Sequence, residues 1–201
     1  MSFRLEEKIF IQDVNMFEFK KWLFSNGATA LFPQRQISSV YFDNNLKMYN
    51  DSIEGIVPRK KIRIRFYNES NFLNAKNYKK EIKLTYYNYR EKIVEDFYLN
   101  DGNINICITD RNYGVCKPII SVSYMRNYFK LKKARITIDE DIQYRLVKNN
   151  NISAFKLKDD SSVIEIKSQN VDDVDYLKKL IPQQRSRFSK YCRGIELLGL
   201  N

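Results

Sequence analysis

The chain has 201 residues, 43% of them hydrophobic and 14% aromatic, which is enough to bury a core and too apolar for a disordered chain. Its formal net charge of +11 points to a polyanionic partner: nucleic acid, an anionic membrane or a phosphorylated ligand. It contains no histidine, which excludes Ser-His-Asp and Cys-His catalysis, H-E-x-x-H zinc sites and histidine general bases together.

Period-two alternation dominates the chain and predicts strands. Phe3 to Ile11 places Arg4, Glu6 and Lys8 on one face and Phe3, Leu5, Ile9 and Ile11 on the other. A helix is predicted next, with Asp13 as N-cap, Met16, Phe19, Lys20 and Leu23 on a shared face, and Gly27 as its stop. Ile37 to Phe42 reads as a second strand, closed by the turn Asp43-Asn44-Asn45. Arg59 to Tyr67 is a third, with Arg59, Lys61, Arg63 and Arg65 facing one way and Ile62, Ile64 and Phe66 the other. Tyr78 to Thr85 and Asn88 to Phe97 form a predicted hairpin. Further strands are predicted at Ile119 to Lys130, Ala134 to Ile142 and Val163 to Lys167. Two helices complete the reading, Asp172 to Ile181 ended by Pro182, and Arg187 to Leu198. The Asn-rich stretches 68–77, 100–105 and 149–151 read as loops, none long enough to divide the chain, so a single domain over residues 1–201 is expected.

Neither G-x-x-x-x-G-K-[ST] nor G-x-G-x-x-G occurs among only six glycines, so no P-loop or dinucleotide cradle is expected. The three cysteines, Cys107, Cys116 and Cys192, form no C-x-x-C pair and read as reduced thiols. No apolar run reaches the length of a membrane span and no charged-then-apolar leader opens the chain, so a cytoplasmic protein is expected.

Three strands repeat Glu-x-Lys: Glu6/Lys8, Glu81/Lys83 and Glu165/Lys167. Residues two apart on a strand share a side, so each device sets a carboxylate beside an ammonium. Arg63/Arg65 and Arg90/Lys92 add basic pairs, and Arg135, Thr137 and Asp139 alternate with Ile136 and Ile138. A single such strand is an ordinary amphipathic one with its charged face in water. Six of them suggest a closed barrel, charged inside, with helices on its apolar outside and an anion filling the interior. A phosphate chain suits that interior, because arginine offers planar donors and lysine a point charge. Phosphoryl transfer needs positioning and charge neutralisation rather than histidine, and carboxylates in the tunnel can hold Mg²⁺ or Mn²⁺.

In order along the chain, the segments resemble the VTC (vacuolar transporter chaperone) catalytic domain of the triphosphate tunnel metalloenzyme, or CYTH-like, superfamily. They are Arg4-Leu5-Glu6-Glu7-Lys8, Ser39-Val40-Tyr41-Phe42-Asp43, Arg63-Ile64-Arg65-Phe66-Tyr67, Glu81-Ile82-Lys83, Tyr124-Met125-Arg126, Arg135-Ile136-Thr137-Ile138-Asp139, Val163-Ile164-Glu165-Ile166-Lys167 and Phe188-Ser189-Lys190-Tyr191. The resemblance implies an α+β fold, a closed eight-stranded antiparallel barrel with helices packed outside. It implies that Lys8, Arg63, Arg65, Lys83, Lys92, Arg126, Arg135 and Lys190 bind phosphates. Ser189, Lys167 and Arg4 would contact substrate, and Glu165 would bind the metal with Glu6 and Glu81 as helpers. Many triphosphatases and cyclases of the superfamily open with E-x-E-x-K; here Arg4 stands in place of the first Glu, which favours the VTC branch.

The function expected is a polyphosphate polymerase that moves the γ-phosphoryl group of ATP onto a phosphate chain, with Mn²⁺ or Mg²⁺. The alternatives are a tripolyphosphatase or nucleoside triphosphatase, and a non-catalytic polyphosphate sensor. A nucleic-acid complex ranks last, because glutamates interleaved with the basic positions repel a nucleic-acid backbone.

Overall fold

The computed structural model describes residues 5–12, 15–68, 72, 75, 77–87, 89–99, 106–149, 151–169, 177 and 188–201, with the side chains of residues 5–7, 10 and 11 outside that description. The described residues form an α+β protein dominated by antiparallel strands: β1 (Leu5–Gln12), β2 (Thr29–Asp43), β3 (Arg59–Tyr67), β4 (Tyr78–Thr85), β5 (Arg90–Phe97), β6 (Ile108–Asp110), β7 (Gly114–Leu131), β8 (Ala134–Lys148), β9 (Asn151–Ile152), β10 (Leu157–Lys158) and β11 (Ser161–Ser168). The helices among them are α1 (Met16–Ser25), α2 (Lys47–Glu54) and α3 (Lys190–Leu197). None of the described helices is long and apolar enough to cross a membrane.

The principal strand order is β1-β11-β8-β7-β2-β3-β4-β5, with β9 and β10 beside β8 and β6 beside β7. Eight strands lie on that path, the number expected. Among the described residues no hydrogen-bonded pairing joins its two ends, so the path is open.

The chain divides into two compact units, Met1–Arg35 with Tyr124–Ile142 and Lys158–Phe188, and Gln36–Ser123 with Gln143–Leu157 and Ser189–Asn201. In the first, β1, β11 and β8 align Lys8 with Glu165 and Glu165 with Thr137. The alternate residues Ile9, Ile164 and Ile138 turn to the other face, joined by Ile136 and Ile166. There they bury against Met16, Phe19 and Leu23 of α1, with Trp22 alongside. Each such side chain contributes roughly 1.5–3 kcal/mol by leaving water. The helix therefore covers the apolar face and leaves the charged one to the site.

The second unit repeats this logic. Tyr41, Arg63 and Glu81 stand in one cross-strand row, and Lys61, Lys83 and Lys92 in another. The intervening Val40, Phe42, Ile62, Ile64 and Phe66 bury on the other face with Met48, Phe72 and Tyr78.

Four strands exceed their predicted lengths, among them β11, which runs Ser161–Ser168 where Val163 to Lys167 was predicted. The prediction for β2 began at Ile37, yet the strand starts at Thr29. Its first half holds Pro33, is exposed and does not alternate, so no period marked it. β7 and β8 likewise extend beyond Ile119–Lys130 and Ala134–Ile142. Asn149 to Asn151, expected as a loop, ends in the first residue of β9. The short β6, β9, β10 and α2 were not predicted. The Asp13 cap and, apart from Leu177, the Asp172 to Ile181 helix lie outside the described residues.

Candidate functional site

In the second unit the charged face centres on Glu81, whose side chain is 4% exposed. The Arg63 guanidinium donates to Glu81 Oε2 from Nε at 2.7 Å and from Nη2 at 2.5 Å. Lys92 donates to Oε1 at 2.7 Å, and Arg65 Nη1 lies 3.5 Å from the same oxygen. One negative charge thus faces three positive ones. Burial alone would raise the Glu81 carboxyl, but Arg63, Arg65 and Lys92 outweigh it and hold it at about 2. Partial burial lowers Lys92, against the pull of Glu81. The sequence set Glu81 beside Lys83; ion pairs of Glu81 also run across the sheet to Arg63 and Lys92 on neighbouring strands.

Lys61, Lys83 and Lys92 occupy directly opposed positions on β3, β4 and β5. Like charges so opposed repel across a sheet, and within this row Lys92 is paired with Glu81. Lys61 donates to Ser189 Oγ at 2.8 Å. Ser189 is the N-cap of α3, its hydroxyl accepting the Cys192 N–H at 3.3 Å, and Lys190 is the first helical residue. A capping hydroxyl at a helix start closes one of the open amide donors there.

Behind this cage lies an aromatic layer. Tyr41 accepts from Arg63 Nη1 at 2.9 Å and lies under its guanidinium, 5.7 Å from carbon to ring centroid. Burial would raise the Tyr41 phenol, yet Arg63, Arg65 and Lys190 together lower it. The Tyr191 ring stacks on Tyr41, with centroids 5.2 Å apart. Tyr191 donates to Asp43 Oδ2 at 2.6 Å, and Asp43 also accepts the backbone N–H groups of Asn44, Met48 and Tyr49. Burial and Asp43 push the Tyr191 phenol up.

The first unit carries a second charged face. Arg126 donates to Asp139 from Nε at 2.5 Å and from Nη2 at 2.7 Å, with its guanidinium over Tyr124. Burial would lower Arg126, but Tyr124, Asp139 and Glu165 raise it. Glu165 lies 3.3 Å from the Lys167 ammonium, the adjacency that Glu-x-Lys spacing predicts. Lys8 donates to the Phe188 carbonyl at 3.3 Å. Thr137, directly across from Glu165, is buried, and its hydroxyl has no hydrogen-bond partner among the described residues; the same holds for Arg135 Nε.

Arg63, Arg65, Glu81 and Lys92 thus meet in one cluster, with Ser189 attached to that face through Lys61. Lys8, Glu165, Lys167 and Arg135 share the β1-β11-β8 face. Arg4 and the Glu6 side chain lie outside the described residues. Lys61, Tyr41, Asp43 and Tyr191 were not predicted as site residues. Lys61 shares the alternation of Arg63, while the other three lie within Ser39 to Asp43 and Phe188 to Tyr191, segments already singled out. Among the described residues no group of three His, Cys, Asp or Glu side chains converges as a metal centre. Glu165 and the unpartnered Thr137 hydroxyl nonetheless supply adjacent oxygen donors of the kind a hard divalent ion takes.

The family model of the VTC domain matches residues 3–199. No curated protein matches the chain. Among solved structures it is similar to a protein from Hippeastrum, assigned as an adenylyl cyclase and described with a dominant triphosphatase activity. That match has a TM-score of 0.55 and 13% identity and covers 96% of each chain. It is also similar to a protein from Vibrio parahaemolyticus assigned as an adenylate cyclase, with a TM-score of 0.52, 15% identity and 98% of each chain covered. At these identities the likeness is one of fold.

Proposed function

The chain belongs to the VTC domain family, and from that premise we propose that it is a polyphosphate polymerase fed by ATP. The observation that carries the proposal is the cage around Glu81, where one carboxylate faces three cations beside an opposed row of lysines. Such a surplus of fixed positive charge on rigid strands suits an extended phosphate chain better than a single anion. Arg63, Arg65, Lys83 and Lys92 grip successive phosphoryl groups, and Ser189 and Lys190 contact the chain from the start of α3. On the other face Lys8, Arg126, Arg135 and Lys167 are assigned the same task, and Arg4 a substrate contact. The reading includes closure of the strand path into a barrel and a single domain over residues 1–201, as the resemblance implies.

In the reaction, a terminal oxygen of the phosphate chain attacks the γ-phosphorus of ATP. A new P–O bond forms, the bond to the β–γ bridging oxygen breaks, and ADP leaves. The arginines and lysines stabilise charge on the transferring group from fixed positions, without reorganisation at the moment of transfer. Glu165, with Thr137 across the ladder and Glu6 on the neighbouring strand, would hold Mn²⁺ or Mg²⁺, which neutralises phosphate charge when bound. Glu81, its oxygens taken up by cations, orients the cage.

The test is purified protein with ATP and Mn²⁺, its products resolved on a polyphosphate-stained gel beside an assay of free phosphate. The parent is expected to make long anionic polymer and Glu165→Ala to make none. Free phosphate without polymer would establish the second reading, a triphosphatase, which the activity described for the Hippeastrum protein favours.

A further inference from the structure

The aromatic layer of Tyr41 and Tyr191 has no phosphate contact assigned to it. Yet it joins the two parts of the second unit's site that come from distant stretches of chain. Asp43 is 1% exposed, and its Oδ2 binds both the Tyr49 amide at 3.1 Å and the Tyr191 hydroxyl at 2.6 Å. Tyr191 is the second residue of α3, the helix whose start carries Ser189 and Lys190. Its ring stacks on Tyr41, and the Tyr41 hydroxyl accepts from Arg63. The same helix start is held from the cage side by Lys61 through Ser189.

We infer that Tyr41 and Tyr191 are positioning residues that couple the seating of α3 to the orientation of Arg63. The inference rests on the phosphate reading of the cage. Arg63 has three donor sites engaged: Nε and Nη2 on Glu81, and Nη1 on Tyr41. Both donors to Glu81 reach one oxygen, Oε2. The contact to Tyr41 adds a third point, which fixes the plane of the fork. Tyr41 is in turn held by the stacked Tyr191, and Tyr191 by Asp43, the last residue of β2, whose carboxylate also binds the first turn of α2. When α3 is seated, Lys190 and Arg63 present their charges together; when it shifts, the Tyr41–Arg63 contact loosens. Binding to a phosphate chain therefore depends on a pair of phenols that act through Arg63 and α3.

The experiment compares parent, Tyr41→Phe, Tyr191→Phe, Arg63→Ala and the double variants of each tyrosine with Arg63→Ala. Tripolyphosphate affinity is measured by calorimetry, KM and kcat with ATP, and folding by circular dichroism. Either tyrosine substitution is expected to weaken tripolyphosphate binding about fivefold to tenfold, the net scale of one hydrogen bond. KM should rise more than kcat falls, and neither substitution should weaken binding further once Arg63 is alanine. Tyr41→Phe removes the hydroxyl that accepts from Arg63 and keeps the stacked ring, so it tests the coupling even if Tyr191→Phe disturbs the fold. Unchanged binding in both phenylalanine variants overturns the inference, as does an equal loss with and without Arg63, which marks a purely structural role. A parent that binds no tripolyphosphate overturns the phosphate reading itself and the inference with it.

Discussion

At the scale of single residues, Glu81 has a consequence for pH. Its carboxyl is held at about 2, below the ordinary 4.5. A folded-state value lower than the unfolded one contributes stability that is fully present above about 4.5 and is lost as the pH falls towards 2. Melting temperatures taken from pH 6 down to pH 2 should therefore fall for the parent. They should fall less steeply for Glu81→Gln, which has no proton to gain; parallel curves would show that the ion cluster contributes nothing. Arg126 gives a second test. Its partner Asp139 is 1% exposed, so Arg126→Ala leaves a buried carboxylate without its bidentate partner. Loss of about 3–5 kcal/mol in urea denaturation is expected. The sequence named Arg63, Arg65, Glu81 and Lys92 because alternation and motif both marked them. It did not show that Glu81 pairs with its cross-strand neighbours Arg63 and Lys92, because spacing along one strand says nothing about register between strands. Tyr41 and Tyr191 stayed hidden for a related reason: a stacked pair 150 residues apart leaves no local period.

At the scale of elements, α3 carries the closest fit. A Cβ on Gly194 would lie 2.7 Å from Ile120 Cδ1 and 2.7 Å from Tyr144 Cδ1, both on fully buried side chains. The glycine is there for space, not for a left-handed backbone. Gly194→Ala should cost about 1–3 kcal/mol by urea denaturation, the range for overpacking a filled core. If that stability is instead unchanged, the helix is not seated as described. β3 and β4 were legible to the residue, since apolar and charged side chains alternate over most of each strand and the predicted bounds match. α2 was not, because it spans eight residues and begins without a side-chain cap of its own. Its first turn is held by Asp43, five residues before Met48, which the sequence offered as part of a turn.

At the scale of the whole molecule, the net charge of +11 gives tripolyphosphate binding a long-range component. Affinity should fall steadily as sodium chloride is raised, because the screening length contracts to about 3 Å near 1 M salt. Affinity independent of salt would place binding outside the cationic faces. Composition excluded histidine chemistry and favoured a polyanion, and the charged strands favoured a sheet with one polar face. Whether that sheet closes depends on pairing between strands at the two ends of the path, and residue patterns within strands do not encode it.

The bond between Asp43 and Tyr191 spans 148 residues. During synthesis β3, β4 and β5 leave the ribosome early and can pair as neighbours, bringing Arg63, Arg65, Glu81 and Lys92 together at once. Ser189, Lys190 and Tyr191 follow about 100 residues later, which at roughly 5–20 residues per second is several seconds. A nascent chain thus presents the strand-borne cations of this surface before α3 adds Ser189 and Lys190 to them.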